Sequence, residues 1–301
     1  MFPSESFPLK NTTICIPSRG LGTFQVDPKV YPEGSVKDSV IQALKLGYRH
    51  IDAAFGYGWG QVERDIGEAI RESGIPRDEL FIVTKLHNCF HNPKDVEINM
   101  NMSLGNFKLD YDIPLSKAYD VTWAAMEKLV EQGKTRLIGV SNFSSPKLKR
   151  LLKTAKIHPV VNQVEIHPYF PQKGLVEYCQ ANEIHVTAHC PLGGAPIPVL
   201  IGRDGPGPLE DPTILELAKQ YKKTAAQLIL CHSICRGISV IPKSNNPKRV
   251  IENFDVLFEL SEADFKTIDD LMGEHGERGV RNLEPKDYLG FDNFNEAIEE
   301  P

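Results

Sequence analysis

Short apolar, β-branched runs alternate with longer amphipathic runs almost from end to end of the 301-residue chain, and this alternation restricts the fold more than any other feature. Arg19–Phe24, His50–Ala54, Phe81–Lys85, Thr135–Val140, Val160–Ile166, Ile184–Ala188 and Ile238–Ile241 read as strands. Between them, Ser35–Leu46 carries apolar residues at Val36, Val40 and Leu44 and stops at Gly47, as a helix does. Gly60–Ser73, Pro93–Phe107, Ser116–Gln132, Pro146–Ala155, Lys173–Ala181, Pro212–Gln220, Ala225–Arg236 and Lys248–Phe254 complete the helices. Strands joined by helices run parallel through right-handed crossovers and are buried beneath those helices. With this many units and no composition break, the expected fold is α/β: one (β/α)8 TIM-type barrel domain over 1–301.

The fourth unit is short. Between the helix ending at Phe107 and the one beginning near Ser116 stands only Leu109-Asp110-Tyr111-Asp112-Ile113-Pro114-Leu115. A proline there removes a backbone donor from any ladder. Seven strands are therefore expected, with the fourth lost or vestigial, and a gap in a parallel barrel would leave two strand edges open.

Charge excludes some partners. Against 40 acidic residues stand 34 Lys and Arg, a net −6 that disfavours nucleic acid and anionic membrane surfaces. Nothing approaches 18 consecutive apolar residues, so no membrane span is expected. Met1–Lys10 lacks the basic-then-apolar pattern of a secretory leader, and the six cysteines form no C-x-x-C pair. Together these point to a cytoplasmic protein with reduced thiols, a monomer or homodimer acting on small molecules.

The strongest local chemistry is Asp52, Tyr57 and Lys85, which fall at or just beyond the C-terminal ends of the second and third strands, where barrel sites lie. A phenol is a poor acid at neutral pH. A neighbouring ammonium lowers its pKa, and a carboxylate holds that ammonium in place. From spacing alone, an ordinary ion pair beside a surface tyrosine reads equally. Gly56, Gly58 and Gly60 also follow a strand, but G-x-G-x-G departs from the dinucleotide fingerprint, and the next strand ends in Lys85 rather than an acid. His87, Cys89 and His91 offer three metal-ligand types within five residues but no supporting carboxylate, so no metal is expected.

Six blocks in order, GLGTF at Gly20–Phe24, HIDAAFGY at His50–Tyr57, FIVTK at Phe81–Lys85, GVSNF at Gly139–Phe143, NQVEIHPY at Asn162–Tyr169 and IPKSNNPKRVIEN at Ile241–Asn253, resemble the aldo-keto reductases. The likeness runs from about Leu9 to about Leu271 and is nearest the fungal xylose-reductase-like branch. It implies NADPH-dependent reduction of an aldehyde or ketone, with Tyr57 giving the proton, Lys85 lowering its pKa and Asp52 positioning Lys85. It further implies that Ser141, Asn142 and Gln163 hold the nicotinamide carboxamide and that Lys243, Ser244, Asn245 and Arg249 surround the adenosine 2′-phosphate. Two cations and short donors suit a dianionic phosphate. Glu252 and Asn253 would lie near the adenine, leaving room for some NADH use, while Phe24 and His87 would line the substrate pocket.

The departures are as specific as the matches. A histidine that in such enzymes binds the carbonyl from the end of the fourth strand has no counterpart, because no histidine occurs between His91 and His158. His189 stands where a tyrosine usually stacks on the nicotinamide, and His87 where a tryptophan usually lines the pocket. His87 is open to two readings, a pocket wall or a replacement for the lost histidine. The departures leave a second reading open for the whole chain: a nucleotide-binding protein whose chemistry has lapsed. A segment lost at Tyr111–Asp112 through a splicing or gene-reading error would explain them as well. The aromatic, acidic tail Asp287–Pro301 is expected to cover the pocket.

Overall fold

The computed structural model describes residues 1–25, 34–111, 113–116, 120–194, 207–271 and 281. The chain opens with an antiparallel hairpin, β1 (Ser6–Pro8) and β2 (Cys15–Pro17), which sequence patterning misses because three-residue strands ending in proline show no period. The barrel strands follow: β3 (Gly20–Gly22), β4 (His50–Asp52), β5 (Phe81–Lys85), β6 (Ile113–Ser116), β7 (Gly139–Ser141), β8 (Val161–Glu165), β9 (His185–His189) and β10 (Ser239–Val240). Each lies parallel to its neighbour in chain order. Parallel bridges from Arg19 to Val240 and from Gly22 to Lys243 join the last strand to the first, through Val240 N–H to Ser18 O at 2.9 Å and Gly22 N–H to Pro242 O at 3.1 Å. The wall is closed. Closure needs Gly22, since a β-carbon there would sit 2.5 Å from the Ile241 carbonyl oxygen.

The expectation of a lost fourth strand is overturned. Ile113–Ser116 fills the slot, with Val83, Thr84 and Lys85 facing Ile113, Pro114 and Leu115 on one side. On the other side Leu115 and Ser116 face Gly139 and Val140. Neither apolar period nor length announces this strand; two neighbouring edges with unpaired backbone groups supply the template. The following helix correspondingly begins at Asp120 rather than Ser116.

The helices are α1 (Ser35–Leu46), α2 (Gln61–Ser73), α3 (Pro93–Phe107), α4 (Asp120–Glu131), α5 (Ser145–Leu151), α6 (Lys173–Ala181), α7 (Pro212–Gln220), α8 (Ala225–Cys235), α9 (Pro247–Phe254) and α10 (Glu262–Asp269). α1 buries Val36, Val40, Ala43 and Leu44 against the wall, each large side chain worth roughly 1.5–3 kcal/mol of transfer free energy. α4 buries Trp123, whose indole N–H reaches the Ile157 carbonyl at 2.9 Å. α2 and α3 are tied to β5 by the buried Glu63 carboxylate, which accepts from Thr84 at 2.6 Å and Asn106 at 2.8 Å. α8, mostly apolar, is buried from Gln227 to Ile234 and starts with a Thr224–Gln227 capping box.

At the N-terminal end of the barrel the hairpin lays Phe7 against His185, ring centroids 5.1 Å apart, and His185 Nε2 meets Ser239 Oγ at 2.6 Å. Burial pushes His50 down to about 4 and His185 to about 3, so both rings are neutral at pH 7. Among the described residues no helix is long and apolar enough to cross a membrane. The tail Asp287–Pro301 lies outside the described residues.

Candidate active site

The C-terminal ends of β4 and β5 bring together the two charges singled out by the sequence. Asp52 closes β4 and Lys85 closes β5; the ammonium donates to Asp52 Oδ1 at 2.8 Å, to Oδ2 at 2.7 Å and to the Ala53 carbonyl at 2.8 Å. Burial works against the Lys85 charge. The Asp52 carboxylate and the Tyr57 hydroxyl more than offset it, and the lysine pKa stands above its ordinary value. Tyr57 follows on a turn closed by its own N–H to Ala54 O at 3.0 Å and shaped by Gly58 and Gly60, both at positive φ. Lys85 Nζ lies 5.1 Å from the centre of the Tyr57 ring.

Tyr57 behaves differently from the expectation in one respect. Burial raises its pKa, Lys85 lowers it through its charge and a hydrogen bond, and the net direction is upward. The lysine therefore reduces a penalty imposed by the site rather than producing an unusually acidic phenol. Phe24 meets the Tyr57 ring edge-on at 5.0 Å, which puts it at the same mouth.

Gln163, on β8, sits beside the ion pair: its side-chain amide donates to Asp52 Oδ1 at 2.7 Å. Ser141 Oγ donates to the Gln163 carbonyl at 3.0 Å, and the Asn142 N–H to the same oxygen at 2.9 Å. Asn142 adopts φ 60°, and its side-chain oxygen accepts from His189 Nε2 at 2.9 Å. Burial pushes His189 down to about 4, so this is the neutral ring. Ser141, Asn142, Gln163 and His189 thus form one hydrogen-bonded group beside Asp52 and Lys85.

The phosphate candidates lie where β10 runs into α9. Burial lowers Lys243 to about 8. Ser244 Oγ accepts from the Asn246 N–H at 3.1 Å, and Asn245 Nδ2 reaches Ser35 Oγ at the start of α1 at 3.1 Å. Asn246 caps α9 by accepting from Lys248 and Arg249 N–H at 3.0 and 3.3 Å, while the Arg249 side chain is exposed. Glu252 is half-buried and ion-paired with Lys248 at 3.7 Å, and Asn253 is buried. An ammonium, an exposed guanidinium and a short hydroxyl beside a helix N-terminus fit an adenosine 2′-phosphate.

His87 lies just past β5, at the edge of an aromatic group made by Phe55, Trp59 and Phe90. Sequence reading passes over these three, although Trp59, 66% exposed within a glycine-rich turn, was a visible sign. It also passes over Cys190, at φ 49°, which bears electrostatically on Tyr57 and whose thiol is pushed up to about 12 by burial and by Glu165. At the C-terminal end of β6 stands Ser116, not a histidine.

A sequence profile described as Aldo/keto reductase family matches residues 20–272. Aldo-keto reductase family 1 member A1 of Xenopus tropicalis is 40% identical over 285 residues, covering 84% of this chain and 84% of its own. Aldehyde reductase YPR1 of Saccharomyces cerevisiae is 38% identical over 310 residues, covering 91% and 93%. In both, the aligned length exceeds the share of the 301 residues it covers, so the relatives carry residues that this chain lacks. The closed parallel wall, the charge pair at its C-terminal rim and the length of the match agree, and the chain belongs to the aldo/keto reductase family.

Proposed function

We propose that the protein reduces a small-molecule aldehyde or ketone to the alcohol, using NADPH and with Tyr57 as proton donor. The observation that carries this reading is the Lys85 ammonium, gripped by both Asp52 oxygens and Ala53 O and turned to the Tyr57 ring. When bound, the reduced nicotinamide supplies hydride. Ser141, Asn142 and Gln163 would hold its carboxamide, and His189 would lie on the same side. Lys243, Ser244, Asn245 and Arg249 would hold the 2′-phosphate, with Glu252 and Asn253 at the adenine; Glu252 leaves NADH usable at lower affinity.

Proton delivery follows from the charges. Charge builds on the carbonyl oxygen as the carbon is reduced, and a proton supplied there lowers the barrier. As Tyr57 gives up its proton, the developing phenolate is stabilised by Lys85, which Asp52 keeps charged. Cysteines that are all unpaired suit a reducing, cytoplasmic setting.

A second reading, an NADPH-binding protein that turns nothing over, is favoured by one observation: the fourth strand ends in Ser116, and no histidine occurs from residue 92 to 157. NADPH oxidation with a reactive aromatic aldehyde separates the two. Turnover that disappears in Tyr57→Phe, with NADPH affinity kept, supports the reductase; turnover unchanged in that variant removes Tyr57 as the acid. A folded chain that binds NADPH and reduces no carbonyl would establish the second reading.

A further inference from the structure

One nitrogen of His87 is engaged and the other is not. Nδ1 accepts the Cys89 N–H at 3.3 Å, which makes the neutral ring the tautomer with its proton on Nε2. Among the described residues nothing accepts from that Nε2–H. The ring is half-buried, with Trp59 at 4.9 Å and Phe55 and Phe90 at 6.2 and 6.4 Å, centroid to centroid. With no protein partner and only partial burial, that donor is open to solvent, and an acceptor arriving there takes the place of water.

The position of the ring relative to Tyr57 is set by Gly56. A β-carbon on Gly56 would stand 2.9 Å from His87 Cδ2 and 3.6 Å from Nε2. The edge carrying the donor is therefore laid against the residue next to Tyr57, on the rim where Lys85 and Phe24 also meet that tyrosine. The adjoining strand, β6, which pairs with β5, ends at Ser116 and not at a histidine.

We propose that His87 is a catalytic residue, its Nε2–H donating a hydrogen bond to the carbonyl oxygen of the substrate. The inference rests on the reading of Tyr57 as the acid. In the reduction the carbonyl carbon takes hydride from the reduced nicotinamide, the π pair moves to oxygen, and that oxygen takes the Tyr57 proton. His87 keeps its own proton throughout and stabilises the oxygen while it is negative. Its contribution grows with that charge, so its removal lowers kcat and kcat/KM together rather than raising KM alone.

The test compares His87→Phe, His87→Gln, Gly56→Ala and the Gly56→Ala/His87→Phe double variant in NADPH oxidation with 4-nitrobenzaldehyde, after circular dichroism establishes that each is folded. His87→Phe should lower kcat by about 10²–10³, the usual effect of removing one oxyanion donor. His87→Gln keeps an N–H and should stay within about tenfold of the parent. Gly56→Ala should lose activity by displacing the ring, and the double variant should be no worse than His87→Phe alone, because both changes act on one group. NADPH affinity, read from tryptophan fluorescence quenching, should be the same in all. His87→Phe within threefold of the parent, while Tyr57→Phe is inactive, would overturn the proposal and leave the acid assignment standing, as would independent addition of the two losses. Should the parent itself reduce no aldehyde, benzamide titrated into the NADP+ complex of histidine-15N-labelled protein gives the answer. A shift of the His87 Nε2–H resonance, with benzamide binding lost in His87→Phe, supports the contact; no shift overturns it.

Discussion

Replacing Asp52 by asparagine tests the charge arrangement with little change of shape. In the native site three donor contacts converge on one carboxylate: Lys85 to each oxygen at 2.8 and 2.7 Å, and Gln163 to Oδ1 at 2.7 Å. Asparagine offers a single oxygen and turns its own N–H groups toward Lys85 or Gln163. Removing one partner of a buried pair costs about 3–5 kcal/mol. The Lys85 side chain retains 16% exposure and keeps Ala53 O, which places the cost near the lower end, about 3 kcal/mol or roughly two orders of magnitude in the folding equilibrium. Kinetically, burial would then act on the ammonium with only Tyr57 and the Ala53 carbonyl opposing it, and the lysine would titrate below its ordinary 10.5. The sign is fixed by linkage. Because the native lysine pKa lies above the unfolded value, the pair stabilises fully below about pH 10.5 and is lost as pH rises through the folded pKa. Urea denaturation at pH 7 should therefore show the full loss, and the two proteins should converge in strong alkali. The alkaline limb of kcat should move to lower pH in the variant. Equal urea midpoints at pH 7 together with an unmoved alkaline limb would refute the assignment of Asp52 as the group that keeps Lys85 charged.

Arg249→Ala should raise the Kd for NADPH by tenfold or more, about 1.4 kcal/mol for a charge-assisted phosphate contact, and leave NADH within about twofold; equal losses would displace the phosphate site. His50 is buried with its pKa down at about 4 against an unfolded value near 6.5, so its neutral form stabilises the barrel above pH 6.5 and this contribution fades toward pH 4. His185, at about 3, acts in the same direction. A urea midpoint that is flat from pH 7 to pH 5 would contradict both. Hydrogen exchange should find the amides of Leu115 and Ser116 less protected than those of Val161–Glu165, because β6 meets β7 through two residues while β8 pairs with β9 along its full length.

Much of the barrel is legible because its elements carry their own signals. Phe81–Lys85, Ser35–Leu46, Pro93–Phe107, Lys173–Ala181 and Pro212–Gln220 occur with the bounds their patterns predict. β6 is not legible, since its pairing is imposed by β5 and β7 rather than by its own residues. α10 escapes notice because EADFKTID is largely polar, although Ser261, which accepts the Asp264 N–H three residues on, is a helix-start signal of the kind that marks other helices. At the site, strand ends locate Asp52 and Lys85, and their pairing could be anticipated from complementary charge. That Gln163 would join Asp52 from a strand 111 positions away, or that Gly56 would make room for His87, depends on which strands meet around the barrel.

The register of the fourth strand has a consequence for how the protein fails on warming. Leu115 lies opposite Lys85, so a stave that meets its other neighbour through only two residue pairs supports the backbone that carries the ammonium. Fraying there leaves the rest of the ring and its helices in place while Lys85 loses its footing beside Tyr57. The strand acts as a thermal fuse: activity should disappear several degrees before helical content does, and return on cooling without refolding of the whole barrel.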